Sequence, residues 1–152
     1  MIGNPDLRYK EIGDNFRTGT RIVTVGDCER NMEHSLIREP AFMDDEAAKA
    51  MGIGLKRRVM PITMLLDILV GLLVMAGVIV PPSLFLQMDE LKVPNPGYPG
   101  DSFMVEGEVI NKRETSKGDS FIITSTVFLK NQENVIVVQA RLTEMLPKLQ
   151  ES

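Results

Sequence analysis

The chain is poor in the residues that staple a fold or carry metal and histidine chemistry. Its 152 residues hold one cysteine, Cys28, and one histidine, His34. A lone cysteine cannot close a disulfide within the chain, so a reducing compartment, the cytoplasm, is the expected setting. A lone histidine excludes most metal sites and His-based catalytic groups built from one chain, and no metal is expected. Positive charge is scarce too: 17 Lys and Arg stand against 21 Asp and Glu, for a net charge of −4. Binding nucleic acid needs a concentrated basic face that neutralises phosphates. The single dense basic cluster is Lys56-Arg57-Arg58, so nucleic acid is not an expected partner. The opening residues, MIGNPDLRYKEIGDNF, lack the basic-then-apolar pattern of a secretory signal, and no internal repeat is visible.

What the chain does have is a long apolar run, VMPITMLLDILVGLLVMAGVIVPPSLFL, from Val59 to Leu86. A helix apolar all the way round has to be buried on every side, by lipid or by protein. Residues 60–80 reach the roughly 20 residues that crossing a bilayer needs, so a membrane anchor through 60–80 is one reading. Asp67 near the centre argues against it, because a carboxylate there costs about 2.5–3.5 kcal/mol. Gly71 and Gly77 interrupt the run and Pro81-Pro82 ends it. A helix buried within protein, away from any membrane, is the expectation.

The length fits one domain, 1–152, large enough to bury a core, and 43% hydrophobic with 25% charged residues is the mix of a globular chain. TRIVTV at 20–25 reads as a short strand, and Asp27 then as the N-cap of a helix over 28–36. Asp44-Asp45-Glu46 before AAKAMG opens a second short helix, its acids matched to the helix dipole, with Gly52 or Gly54 ending it. Pro61 suits the first position of the long helix, which runs to about Val78. Strands follow over 83–92, 103–113, 121–130 and 135–145, with NPGYPG at 95–100 as dense turn chemistry and 131–134 as a hairpin loop. Phe103, Val105 and Val109 share one face, with Gly107 as a bulge. Phe121, Ile123, Val127 and Leu129 share a face, and Ile122, Thr124, Thr126 and Phe128 share the other. One face packs on the long helix; the other is open to a second subunit. The order makes an α+β domain, a long central helix on a curved antiparallel sheet.

Five blocks carry a resemblance: RYKEIGDNFRTGTRIVTVGD, DDEAAKAMGIG, VMPITMLLDILVGLLVMAG, PNPGYPGDSFMVEGEVINKRE and KNQENVIVVQARLTEML. In order and spacing, over most of 9–146, they resemble the MaoC-like acyl dehydratase/hydratase family, whose fold is the hotdog. The most specific block is the proline and PGD turn followed by an alternating strand that ends in Lys-Arg-Glu. The resemblance implies a hotdog domain paired edge to edge as a homodimer, or as a hetero-oligomer with another hotdog subunit. It also implies an acyl thioester as ligand (acyl-CoA or acyl-ACP), with coenzyme A present only as part of that ligand and no separate cofactor.

The family's hydratases use an Asp and a His five residues later, in a D-x-N-P-x-H-like loop, to deliver water across an enoyl thioester. A backbone amide beside a Gly at the start of the central helix receives charge on the thioester oxygen. Counted without gaps from Asp27, the Asp falls on Ile37, the His on Phe42 and the Gly on Met60, while Pro40 and Asp44 are kept. Isoleucine and phenylalanine exchange no protons, so the chain is not expected to be a conventional hydratase. Ile37, Phe42, Val59, Met60 and Ile62 are expected to line the ligand pocket. Asp67 is a candidate general base, because burial on the central helix would disfavour its ionised form. Glu39 and His34 are further candidates, and Lys56, Arg57 and Arg58 are candidates for the phosphates of coenzyme A. Each has a plain structural alternative: a hydrogen-bonded or exposed Asp67, a surface His34, a solvated basic loop. Three functions remain in view: a thioester-binding chain without hydratase activity, structural partner to a catalytic hotdog subunit; a thioesterase or hydratase with relocated groups such as Asp67; and a membrane-anchored protein.

Overall fold

The computed structural model describes residues 3–149. Its longest helix, α4, spans Ile62–Met75, with Pro61 in extended conformation (φ −66°, ψ 150°) as its N-cap rather than its first residue. A proline fits there because the cap position needs no intrahelical N–H. The helix stops at Ala76, short of the expected Val78, and Gly77 turns the chain with φ +74°. Met64, Leu65, Ile68, Leu69, Leu72 and Leu73 are buried, a stripe at helical spacing. Thr63, Asp67, Gly71, Val74 and Met75 are exposed on the other side. At 14 residues α4 is shorter than the ~20 of a bilayer span, and no helix among the described residues is long and apolar enough to cross a membrane.

The buried stripe of α4 belongs to the same core as one face of an antiparallel sheet. The long strands are β4 (Ser102–Glu114), β5 (Ser120–Lys130) and β6 (Ile136–Pro147). Their burial alternates, with Phe103, Val105 and Val109, then Ile123, Val127 and Leu129, then Val138, Ala140, Leu142 and Leu146 inside. The sheet order is β1-β4-β5-β6-β3, with β1 at Asn15–Arg17, β3 at Leu84–Lys92, and β2 (Arg21–Ile22) also pairing β4. The edge strand β3 leaves Leu84, Phe85, Leu86 and Leu91 exposed. A layer of helix on an antiparallel sheet is the α+β arrangement expected.

Four local readings need correction. The stretch 20–25 is mostly not strand: only Arg21–Ile22 pairs, because Thr24 leaves the sheet to cap helix α1 (Val25–Ser35). Asp27 is therefore the third helical residue, not the cap. The Thr24 hydroxyl accepts from the Asp27 amide at 3.1 Å, and the Asp27 carboxylate accepts from the Thr24 amide at 2.9 Å. That bond from Thr24, more than any other contact, holds the Asp27 carboxyl below the usual carboxylate range. Gly107 is not a bulge; the register shift lies between Val109 and Asn111. Gly107 instead lies opposite Phe16, whose ring fills the place an added Cβ would take. Finally, the loop after α1 contains a further short helix, α2 (Pro40–Met43), before α3 (Asp45–Lys49), which Asp44 caps by accepting from the Ala47 amide at 2.9 Å.

One core-face position is out of character. Glu144 on β6 is 4% exposed between Leu142 and Leu146, and burial pushes its carboxyl up from the ordinary range. A raised acid favours the protonated folded state, so the fold is penalised as pH climbs from the unfolded value of about 4.3 through the higher folded one. Glu144→Gln should therefore melt at higher temperature than the native chain at pH 7, and the gap should close at acid pH. Thermal melts across pH would check this; a variant less stable at pH 7 would contradict it.

Candidate functional site

Four of the five pocket candidates, Phe42, Val59, Met60 and Ile62, meet at the amino-terminal end of α4. There α2, the 51–60 segment and the 93–97 turn enclose a cleft of about 400 Å³. Its walls are joined by backbone hydrogen bonds: the Met60 amide donates to the Gly97 carbonyl at 2.9 Å, and the Val59 amide to the Ala41 carbonyl at 3.0 Å. Around them the PGD turn acts as an anchor. Asp101, buried, accepts from the Tyr98 amide at 3.0 Å and from the Gln132 side chain at 3.0 Å. The Arg57 guanidinium lies 4.5 Å over the Tyr98 ring and 3.7 Å from Asp101, and the Lys56 amide donates to the Tyr98 hydroxyl at 3.1 Å. These contacts fix the two peptide segments that form opposite sides of the cleft.

Of the candidates named from the sequence, Glu39, Phe42, Val59, Met60 and Ile62 line the cleft. Ile37 does not; it is half-buried beyond the end of α1, its amide donating to the Ser35 hydroxyl at 3.2 Å. His34 is exposed in the last turn of α1. Asp67 is exposed and outside the cleft lining. Its spacing of four from Thr63 and from Gly71 puts it on the side of α4 turned away from the sheet, so the desolvation expected for it is absent from this chain.

The basic cluster divides. Arg57 is held by Tyr98 and Asp101. Arg58 is paired with Glu29 at 3.0 Å, and its amide donates to Asp45 at 2.9 Å. Lys56 alone of the three has no ion pair among the described residues. Met60, the position matched to the family's charge-receiving glycine, has its amide engaged by Gly97. The amides of Ile62 and Thr63, at the start of α4, have no acceptor among the described residues, as the first donors of a helix commonly do not.

Sequence reasoning missed much of the wall: Met51, Ile53, Leu55, Val93, Pro94, Asn95 and Gly97. The signal was present in MGIGL, where Gly52 (φ +73°) and Gly54 (φ +87°) expose an Ile that a loop would ordinarily bury or replace. A second depression, about 520 Å³, lies at the opposite edge of the sheet beside Phe16 and is lined by Lys10, Arg17 and Glu106. None of the predicted site residues reaches it. Cys28 is buried, and burial pushes its thiol up, which makes it a packing residue rather than a nucleophile. Among the described residues no group of three His, Cys, Asp or Glu side chains is placed to hold a metal ion.

A scan of the sequence against protein-family models finds no match, and a search of curated proteins finds none. Solved structures do match. A MaoC domain protein dehydratase from Chloroflexus aurantiacus superposes with a TM-score of 0.85 at 20% identity, over 97% of this chain and 42% of that one. A MaoC-like dehydratase from Rhodospirillum rubrum gives 0.80 at 22% identity, over 96% of this chain and 99% of that one. A HadBC complex from Mycobacterium tuberculosis, a (3R)-hydroxyacyl-ACP dehydratase, gives 0.71 at 19% identity, over 91% and 99%. At such identities the likeness is one of fold. The chain has the hotdog fold of the MaoC-like dehydratases.

Gly97, in the cleft wall, is closely packed. A Cβ there would meet Leu65 Cδ2 at 2.8 Å and Phe103 and Val137 at 3.3 Å. Gly97→Ala should thus force Leu65 towards the cleft and destabilise the fold by about 1–3 kcal/mol, the usual range for overpacking. Chemical denaturation would measure it, and an unchanged midpoint would show that the wall yields freely.

Proposed function

We propose that this chain is a MaoC-like protein that binds acyl thioesters, acyl-CoA or acyl-ACP, without hydrating enoyl groups, and that it works joined edge to edge with another hotdog chain. The observation that carries the reading is the apolar cleft, with Phe42 in the wall where the family's histidine is expected. Hydration needs one group to take a proton from water and one to deliver a proton to carbon. Phe42 supplies neither, and Ile37 supplies neither and stands outside the lining. Met51, Ile53, Leu55 and Val59 offer an acyl chain apolar contact, and exposed Lys56, next in the chain to Leu55 and without an ion pair among the described residues, is a cation for a phosphate of the carrier.

The edge of β3 supports the partner half of the proposal. Among the described residues it pairs with β6 alone, which leaves its outer edge open, and Phe85 is 52% and Leu86 43% exposed. Such an edge invites another strand. That one of the similar structures is a two-protein dehydratase complex supports a hotdog chain as the occupant, either a second copy or a different chain that brings the acid and histidine.

Incubation with saturated and enoyl acyl-CoAs, followed by mass spectrometry, tests the ligand half. No enoyl thioester should gain the mass of one water; a hydrated thioester would overturn the roles given to Ile37 and Phe42. For the partner half, Leu86→Lys should shift the purified protein to the mass of a single chain on size exclusion with light scattering. An unchanged assembly would remove β3 as the joining edge.

A further inference from the structure

The cleft is short of the groups that hydration needs, but it is not empty of chemistry. Among the residues lining it, Glu39 is the one with an ionisable side chain, and Asn95 is the one other polar side chain. Asn95 is already committed, donating to the Ile136 carbonyl at 2.8 Å. Glu39 is not: it is exposed at the head of α2, makes no capping bond there, and has no ion pair among the described residues. A carboxylate with no part in holding the fold together, at the mouth of an apolar cleft, has no structural task. We propose that the cleft hydrolyses acyl thioesters, with Glu39 as the base that activates water.

The proposal rests on the thioester-binding reading and adds an activity to it. The two reactions make different demands. Adding water to an enoyl group leaves a carbanion-like carbon that must receive a proton from a positioned acid. Hydrolysis leaves a thiolate, whose conjugate thiol has a pKa of about 8.5, so it departs with little help. One carboxylate therefore suffices. Glu39 takes a proton from water as the oxygen bonds to the thioester carbonyl carbon, and the carbonyl electron pair moves onto its oxygen. The free amide of Ile62, whose residue lines the same cleft at the start of a 14-residue helix, is the donor to that oxygen. Collapse of the intermediate breaks the carbon–sulfur bond, and Glu39 returns its proton to the sulfur. Thioester and water become carboxylic acid and thiol, with no other reactant.

The test uses the whole purified protein with octanoyl-CoA and with the matching S-octyl-CoA thioether, which cannot be hydrolysed. Released thiol is read with a chromogenic thiol reagent; the protein's one cysteine is buried and adds little background. Native protein should release thiol, and Glu39→Gln should lower the rate by about 100-fold, the lower range for loss of a general base. Thioether affinity and melting temperature should stay as they were, because the Glu39 side chain makes no capping bond and no ion pair among the described residues. Asp67→Asn, away from the cleft, should hydrolyse at the native rate. Equal release by native protein and Glu39→Gln would overturn the role of Glu39. Thioether binding without release by the native protein would overturn hydrolysis and leave the binding reading intact. No thioether binding would overturn both.

Discussion

The contact on which the rest of the molecule depends is the burial of one stripe of α4 against the inner face of β4, β5 and β6. Leu65, Ile68, Leu69, Leu72 and Leu73 on the helix and Val105, Ile123, Val127, Leu129, Val138 and Leu142 on the strands all fall in one continuous core. Burying side chains of this size contributes about 1.5–3 kcal/mol each relative to leaving them in water. That packing fixes where the helix begins. Because it begins at the 93–97 turn, its first amides and the turn's prolines face a common space, and the cleft is a consequence of how the core is closed.

What surrounds the cleft then follows from keeping two loops in place. Met60 to Gly97 and Val59 to Ala41 are direct backbone ties, and the Arg57–Tyr98–Asp101 cluster braces them from behind. This use of Arg57 and Arg58 explains why a basic cluster that looks like a phosphate site in sequence is largely occupied with the protein itself. A guanidinium stacked on an aromatic ring and beside a buried carboxylate is a poor donor to a mobile ligand. Lys56 alone of the three has no ion pair among the described residues.

Two features sit against the economy of a single folded chain. Glu144 is buried on the core face, where its charged form is disfavoured. Among the described residues, β3 presents large apolar side chains and an open strand edge to solvent. The first concerns the stability of the isolated fold. The second bears on assembly, since a long apolar edge is normally blunted by charge or proline, or covered by a neighbour.

Much of the architecture is legible in the residues themselves. The helix is written in ITMLLDILVGLLVM, and the strands in the period-two alternation of FMVEGEVINKR, FIITSTVFLK and VIVVQARLTEM. Strong periodicity survives because each buried face has one geometry that hides it. The short pieces were harder. NFR is too brief to show a period, and α2 is a single turn begun by a proline. Thr24 and Asp27 both suit an N-cap, and the reciprocal bonds between them decide that threonine takes it. The role of Gly107 depends on Phe16, some ninety residues away in the chain and opposite it in the sheet.

The sequence by itself determined the α+β order and the long helix, and it set out Phe42, Val59, Met60 and Ile62 as pocket candidates. Those depend on residue type and local period. Only the tertiary structure decided that Asp67 faces outward, that Arg57 and Arg58 pair with Asp101 and Glu29, and that Glu39 is the carboxylate in the cleft. A side chain's chemistry belongs to its residue, but what it meets depends on which distant segments the core draws together.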